Sequence, residues 1–376
     1  LPVRNPSFVA IDEEQRKIYA VNEMKEYGGA FGGGLTQIGY EPDGTMQIEA
    51  DFNTAGTDPC HVEIAPNGAF VSVANFASGA VTIFPRDTQG NLRADKTVFQ
   101  HEGNSVHSTR QKGPHAHSSI FAPDCPLMFV PDLGMDKVVA YRYEGAEVHT
   151  DEVATITVER GCGPRYGEFA PNGKDFYLIN EIGSRVMHYR YNAGKMTLCE
   201  ETSTLPYGFT GENICSDLHI TADGKFLYAS NRGHDSITAY HILEDGSLAW
   251  IECRSSGGKT PRNFALDRTG SYLLAENQDS DNITVFAIGD DGRLDDFGQP
   301  GAELPVGERA QHPGVADHEP GLRECPRHIL VAVDIHAVLA AHAGVDLSQQ
   351  SRRDEPEIEA AHVGRGGETR HVGHDT

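Results

Sequence analysis

Two arginines, a histidine and a glutamate stand out in this chain because they occupy matching places in a recurring pattern. Ser7, Cys60, His117, Arg165, Ser216 and Arg262 each lie fifteen residues ahead of an Asn or Asp that closes an apolar run. Glu23, Phe76, Leu133, Glu181, Arg232 and Gln278 each follow that Asn or Asp by one. If the pattern is structural, each set forms a ring, and His117, Arg165 and Arg262 share one. Guanidinium groups are poor packing material, because a buried charge is costly unless an opposite charge pairs with it. Their planar forks hold phosphate or carboxylate through paired hydrogen bonds, and a histidine of near-neutral pKa moves a proton. Glu181, sixteen residues beyond Arg165, is placed to orient or charge-balance that histidine. The serines near histidines, such as Ser118, lack a G-x-S-x-G elbow, so water is the expected nucleophile. The expected catalytic set is His117, Glu181, Arg165 and Arg262. Arg165 and Arg262 are also expected to bind substrate, with His61 and His219 on inner strands as further contacts, each of which reads equally well as a structural histidine. An internal salt-bridge network is the structural alternative for the same charges.

Other motifs carry less. HAH (115–117) sets two histidines on one face of a strand, with His101 and His107 upstream, but no third ligand follows at a diagnostic spacing and no metal is expected. GGAFGGGL (28–35) lacks the strand-to-helix context and the GK[ST] ending of a phosphate loop, and GKT (258–260) has Cys253 where the first glycine should stand; both read as loops. No step of the expected chemistry demands a cofactor.

These residues meet only if the elements that carry them converge. An apolar strand, a turn and a second apolar strand ending in Asn or Asp recur six times, closing at Asn22, Asn75, Asp132, Asn180, Asn231 and Asn277. The intervals are 53, 57, 48, 51 and 46 residues. That period, with alternating β-branched and aromatic residues in SITAYHI (236–242) and NITVFAI (282–288), predicts four-stranded propeller blades rather than a helical solenoid. Equivalent early positions on the innermost strands then surround one channel. The fold expectation is an all-β, seven-bladed β-propeller over residues 1–297, with six blades readable and a seventh incomplete at its N-terminal strands. Residues 298–376 hold no Phe, Tyr, Trp, Lys, Asn or Met but 8 of the 18 histidines, and read as an atypical tail, disordered or non-native.

Composition narrows the partners. Lys and Arg number 31 against 55 Asp and Glu, a net charge of −24, which repels nucleic acid and anionic membrane over most of the surface. No segment approaches the roughly 20 consecutive apolar residues of a membrane span. An anionic small molecule fits only a local cationic pocket. The seven cysteines are scattered without C-x-x-C spacing, which suits a reducing compartment. With no basic-then-apolar leader at its start, the chain is expected to be cytoplasmic.

The blocks GTDPCHVEIAPNG (56–68), GPHAHSSIFAPD (113–124), GCGPRYGEFAPNG (161–173), GFTGENICSDLHITADGKFLYASNRGHDSI (208–237) and KTPRNFALDRTGSYLLAENQDSDNI (259–283) resemble the seven-bladed lactonase family. That family includes propeller-type 6-phosphogluconolactonases and carboxymuconate lactonizing enzymes, and the resemblance covers about residues 5 to 297. It implies a site at the channel mouth built from a histidine, two arginines and a glutamate, which fall here on His117, Arg165, Glu181 and Arg262. The family's histidine after the first arginine is replaced by Tyr166. The resemblance implies hydrolysis of a sugar lactone, 6-phosphogluconolactone to 6-phosphogluconate, with His117 partnered by Glu181 as general base. Lactonization of a carboxylated muconate, or a non-catalytic propeller that binds proteins, are the other functions such a chain serves. Trp250 is the only tryptophan, so Trp-Asp repeat signatures are lacking.

Overall fold

The computed structural model describes residues 1–297, so the expectation for 298–376 lies outside the described residues. Six antiparallel sheets follow one another along the chain, each a four-stranded meander, with a fifth short strand, Ile156–Thr157, added to the third. The innermost strands are Pro6–Asp12, Pro59–Ile64, Ile120–Phe121, Pro164–Phe169, Ile214–Ile220 and Pro261–Leu266. They open blades 1 to 6. The only helical turn among the described residues is Gln278–Ser280.

Burial explains the strand types. Second strands such as Phe70–Asn75 and Asp175–Asn180 are buried at every position, because a blade's two faces pack on two neighbours, and their sequences are mostly apolar. Outer strands such as Met46–Asn53 alternate between half-buried and exposed. The hairpin between first and second strands needs one left-handed residue, and Gly68, Gly173, Gly224 and Gly270 supply it at φ 69°, 64°, 72° and 69°.

The residues that close the second strands are buried and lock the blade. Asn75 Nδ2 donates to Ala80 O and Thr82 Oγ1, both at 3.1 Å, and Asn231 Nδ2 donates to Thr204 O at 2.9 Å and Thr238 Oγ1 at 3.1 Å. Tyrosines staple one blade to the next: Tyr177 Oη donates to Gly246 O at 2.7 Å and Tyr228 Oη to Gly292 O at 3.0 Å. Apolar clusters fill the seams between blades 1 and 2, 2 and 3, 3 and 4, 4 and 5, and 5 and 6. Blades 6 and 1 meet instead through ion pairs, Arg262 with Glu23 and Arg268 with Glu13.

Six complete blades are therefore present among the described residues, and blade 1 holds all four of its strands. The glycine-rich segment 28–35 is not a phosphate loop. It forms the small hairpin Glu26–Tyr27 and Ala30–Phe31 and then runs against blade 2, where a Cβ on Gly33 would stand 2.1 Å from the Pro59 ring.

Candidate active site

A repeated irregularity aims the site residues. The pairing of first and second strands skips between Pro6 and Phe8, Pro59 and His61, Pro164 and Tyr166, Cys215 and Leu218, and Pro261 and Asn263. The residues left over by these bulges are Ser7, Cys60, Arg165, Ser216 with Asp217, and Arg262. A bulge re-aims a side chain and tightens local twist, and proline suits a strand's first position because it has no N–H to contribute. In blade 3 the inner strand is cut short, and His117 is held by its N–H to Pro131 O at 3.0 Å beside an isolated bridge between Ala116 and Asp132. Cys60, His61, His117, Arg165, Tyr166, Asp217, Arg262 and Asn263, with Ser7 and Phe8, line one pocket.

Glu181 lies at the centre of the charges. Its carboxylate is 1% exposed and takes Arg110 on Oε1, Arg232 on Oε2 at 2.7 Å and the Nε of Arg165 at 3.3 Å from Oε2. Burial alone would raise its pKa, but Arg232, Arg110 and Arg165 overcome that and hold it down at about 2. None of its hydrogen bonds goes to His117. The expected His117–Glu181 partnership is thus corrected: Glu181 orders arginines, because three guanidiniums converge on it. Arg165, buried with Nη1 donating to Ser216 O, has its pKa lowered by burial and by Arg232 to about 10 and stays charged at neutral pH. Arg262 is held by both oxygens of Glu23, at 3.0 and 2.8 Å.

His117 sits among these cations as a neutral ring. Burial, followed by the fields of Arg165 and Arg262, pushes its pKa well below the ordinary value. Its Nδ1 lies 3.6 Å from Cys60 Sγ, and Phe76 meets the ring edge-on at 5.3 Å. No hydrogen bond among the described residues engages its Nε2. Cys60 is no nucleophile, since burial and Glu23 push its thiol up to about 12.

The two further histidines part ways. His61 lines the pocket against Phe8, its Nδ1 accepts the Ser119 N–H at 3.3 Å, and burial drives its pKa down to about 3. Its buried Nε2 has no hydrogen-bond partner. His219, expected as a substrate contact, is instead tied between Glu168 at 3.1 Å and Asp217 at 3.3 Å. Burial opposes its charge, but Asp217 and Glu168 raise its pKa well above the ordinary value. It does not line the pocket.

Sequence reasoning placed Glu23 and Arg232 in the set one residue beyond the closing Asn or Asp without giving them roles, and missed Arg110, whose loop lies outside the repeat. The upstream histidines serve structure: His101 bonds Asp132 and Tyr141, each at 2.6 Å, and His115 bonds Phe76 O at 2.9 Å. No group of three or more His, Cys, Asp or Glu side chains among the described residues is arranged to hold a metal. The six described cysteines are all free, and no described helix is long and apolar enough to cross a membrane.

Four-stranded sheets that follow one another along the chain and whose first-strand segments each bring side chains to one shared pocket define a β-propeller. The sequence matches the family described as "Lactonase, 7-bladed beta-propeller" over residues 2–308, and the chain belongs to that family. It is 32% identical over 271 residues to the 6-phosphogluconolactonase of Bacillus subtilis (strain 168), covering 70% of this chain and 75% of that relative. Among solved structures, the periplasmic gluconolactonase PpgL of Pseudomonas aeruginosa superposes with a TM-score of 0.74 at 31% identity, over 78% of this chain and 85% of that one. A structure described as a putative 6-phosphogluconolactonase from Bacteroides fragilis NCTC 9343 superposes at 0.73 with 28% identity, over 79% and 84%. The six described blades belong to a family described as seven-bladed.

Proposed function

We propose that this protein hydrolyses a sugar δ-lactone carrying an anionic group, with 6-phosphogluconolactone as substrate and 6-phosphogluconate as product. The observation that carries this reading is the cationic pocket of Arg165 and Arg262 around a neutral His117, in a chain whose net charge is −24. An excess of guanidinium at one point of an acidic protein attracts an anion there. The names of the relatives point the same way.

In this mechanism His117 Nε2 accepts a proton from water as the water oxygen bonds to the lactone carbonyl carbon. Negative charge moves to the carbonyl oxygen, where the N–H groups of Arg165 and Arg262 stabilise it. The intermediate re-forms its carbonyl, the bond from that carbon to the ring oxygen breaks, and the imidazolium returns its proton to the departing alkoxide. Glu181 and Glu23 hold the arginines in place, and His61 offers its unpaired Nε2 to a sugar hydroxyl. His219 is tied to Asp217, which lines the pocket, and holds that carboxylate in place. The proposed site of action is the cytoplasm, although the Pseudomonas relative is described as periplasmic.

The test is the rate of 6-phosphogluconolactone hydrolysis above the spontaneous background, with EDTA present and Arg165→Ala as control. Acceleration that survives EDTA and disappears in the variant supports the reading. A folded protein that gives no acceleration overturns it and directs attention to muconate lactonization or to protein binding.

A further inference from the structure

We infer that Arg110 selects the substrate's phosphoryl group, a role that rests on the lactonase reading above and adds a residue from outside the repeated blades. Residues 101–119 connect the outermost strand of blade 2 to the innermost strand of blade 3. The loop is pinned beside Arg110: Gln111 is fully buried, and its Nε2 donates to Leu133 O at 2.8 Å and to Asp136 Oδ1 at 2.7 Å. The Arg110 N–H itself donates to His107 Nδ1 at 3.1 Å. From this fixed backbone the guanidinium lies over the Phe76 ring, 5.7 Å from its centroid, and reaches Glu181.

Two independent features call for an anion at this point. The first is charge. Arg110, Arg165 and Arg232 share the single carboxylate of Glu181, so positive charge exceeds negative there even with Asp217 counted beside Arg165. A phosphate monoester, which carries about −1.5 to −2 at neutral pH, offsets that surplus, whereas a neutral sugar lactone leaves it uncompensated. The second is hydrogen bonding. Each guanidinium offers about five N–H donors; the Nε atoms of Arg110 and Arg232 are buried without a hydrogen-bond partner, while that of Arg165 faces Glu181 Oε2 at 3.3 Å. Buried donors left unmade are costly, and phosphoryl oxygens are the acceptors that fork geometry suits best.

Among the three, Arg110 is the one positioned to meet an incoming group. Its side chain is 33% exposed, against 15% for Arg232 and 6% for Arg165. It is therefore the most solvent-accessible of the three guanidiniums on Glu181. It rests over Phe76, whose ring also meets His117 edge-on, so it stands near the proposed base, and Glu181 keeps the two more buried arginines when Arg110 takes the phosphoryl oxygens.

The experiment compares wild type, Arg110→Ala and Arg110→Lys on 6-phosphogluconolactone and on unphosphorylated glucono-δ-lactone, each corrected for spontaneous hydrolysis. In Arg110→Ala the ratio of kcat/KM for the phosphorylated over the unphosphorylated lactone should fall about tenfold or more, chiefly through KM, because a charge-assisted forked contact is lost. Arg110→Lys should recover part of the ratio, since the charge returns without the fork. A ratio unchanged in Arg110→Ala, or an equal loss on both lactones, overturns the inference. Wild type that lacks any preference for the phosphorylated lactone counts instead against the proposed substrate. In that case the melting shift caused by 6-phosphogluconate, which needs no turnover, decides for Arg110: a shift lost in Arg110→Ala upholds its role, and a shift retained refutes it.

Discussion

Replacing Glu181 with glutamine should cost this protein much of its stability at neutral pH, and the cost should fade in acid. In the folded state the carboxyl titrates at about 2 instead of its ordinary 4.5, because three arginines outweigh the opposing effect of burial. At about 1.4 kcal/mol per pKa unit, the ionised carboxylate contributes about 3 kcal/mol. Removing one partner of a buried ion pair costs about 3–5 kcal/mol by a separate route, since the charges left behind go uncompensated. Here the remaining charges are Arg110, Arg165 and Arg232, which then repel one another. The sign follows from the depressed pKa: the contribution is fully present above the unfolded value and is lost as pH falls through the folded one. Urea unfolding followed by circular dichroism, on wild type and Glu181→Gln, measures the gap directly. We expect about 3 kcal/mol at neutral pH and less than half of it near about pH 3. Added inorganic phosphate should narrow the gap at neutral pH, because an anion replaces part of the missing charge. A neutral-pH difference below about 1 kcal/mol, or one that persists unchanged into acid, would refute the claim that Glu181 holds these arginines together.

The remaining predictions concern the pocket and the buried carboxyl of Glu63. Arg165→Ala and Arg262→Ala should each lower kcat/KM for the lactone about tenfold or more, as loss of a charge-assisted contact worth about 1.5–3 kcal/mol requires; unchanged values for both would remove them from the mechanism. His117→Asn should lower kcat by about 10² or more. In wild type the acid limb of kcat/KM should lie below the ordinary histidine range, because burial, Arg165 and Arg262 keep His117 neutral, and a limb at or above pH 6.5 would contradict that assignment. Glu63, whose pKa burial raises to about 7, resists ionisation in the folded state, so stability should decline as pH rises from the ordinary carboxylate value through about 7. Glu63→Gln should then be the more stable protein in mild alkali, by about 1–3 kcal/mol. Thermal melts on either side of neutrality would show no crossover if this were wrong.

Much of the architecture was legible because a propeller writes the same physical demand into its chain at each blade. The turn glycines at 68, 173, 224 and 270, the buried second strands and the closing Asn or Asp all recur because every blade solves the same packing problem. Counting back from Asn180 and Asn277 therefore found Arg165 and Arg262, and the bulges at Pro164/Tyr166 and Pro261/Asn263 are why one offset served in different blades. Counting failed where the loop length is free. Arg110 lies on a connection that no repeat constrains, and only the fold brings it to Glu181, 71 residues away.

Partnership was equally beyond the sequence. Spacing put Glu181 near His117, but a carboxylate pairs with whichever cations its surroundings converge on it, and here those are Arg110, Arg165 and Arg232. His61 and His219 stand on equivalent inner strands and look alike in the sequence. One is a neutral ring with an unpaired buried nitrogen and the other is held as a cation between Glu168 and Asp217. By itself, then, the sequence determined the repeat, the sheet class and the residue types that ring the channel, because those follow from local periodicity and turn chemistry. Which charges pair, which histidine stays neutral and which loop reaches the mouth were decided by the tertiary structure alone, since burial and electrostatic fields depend on neighbours distant in the chain.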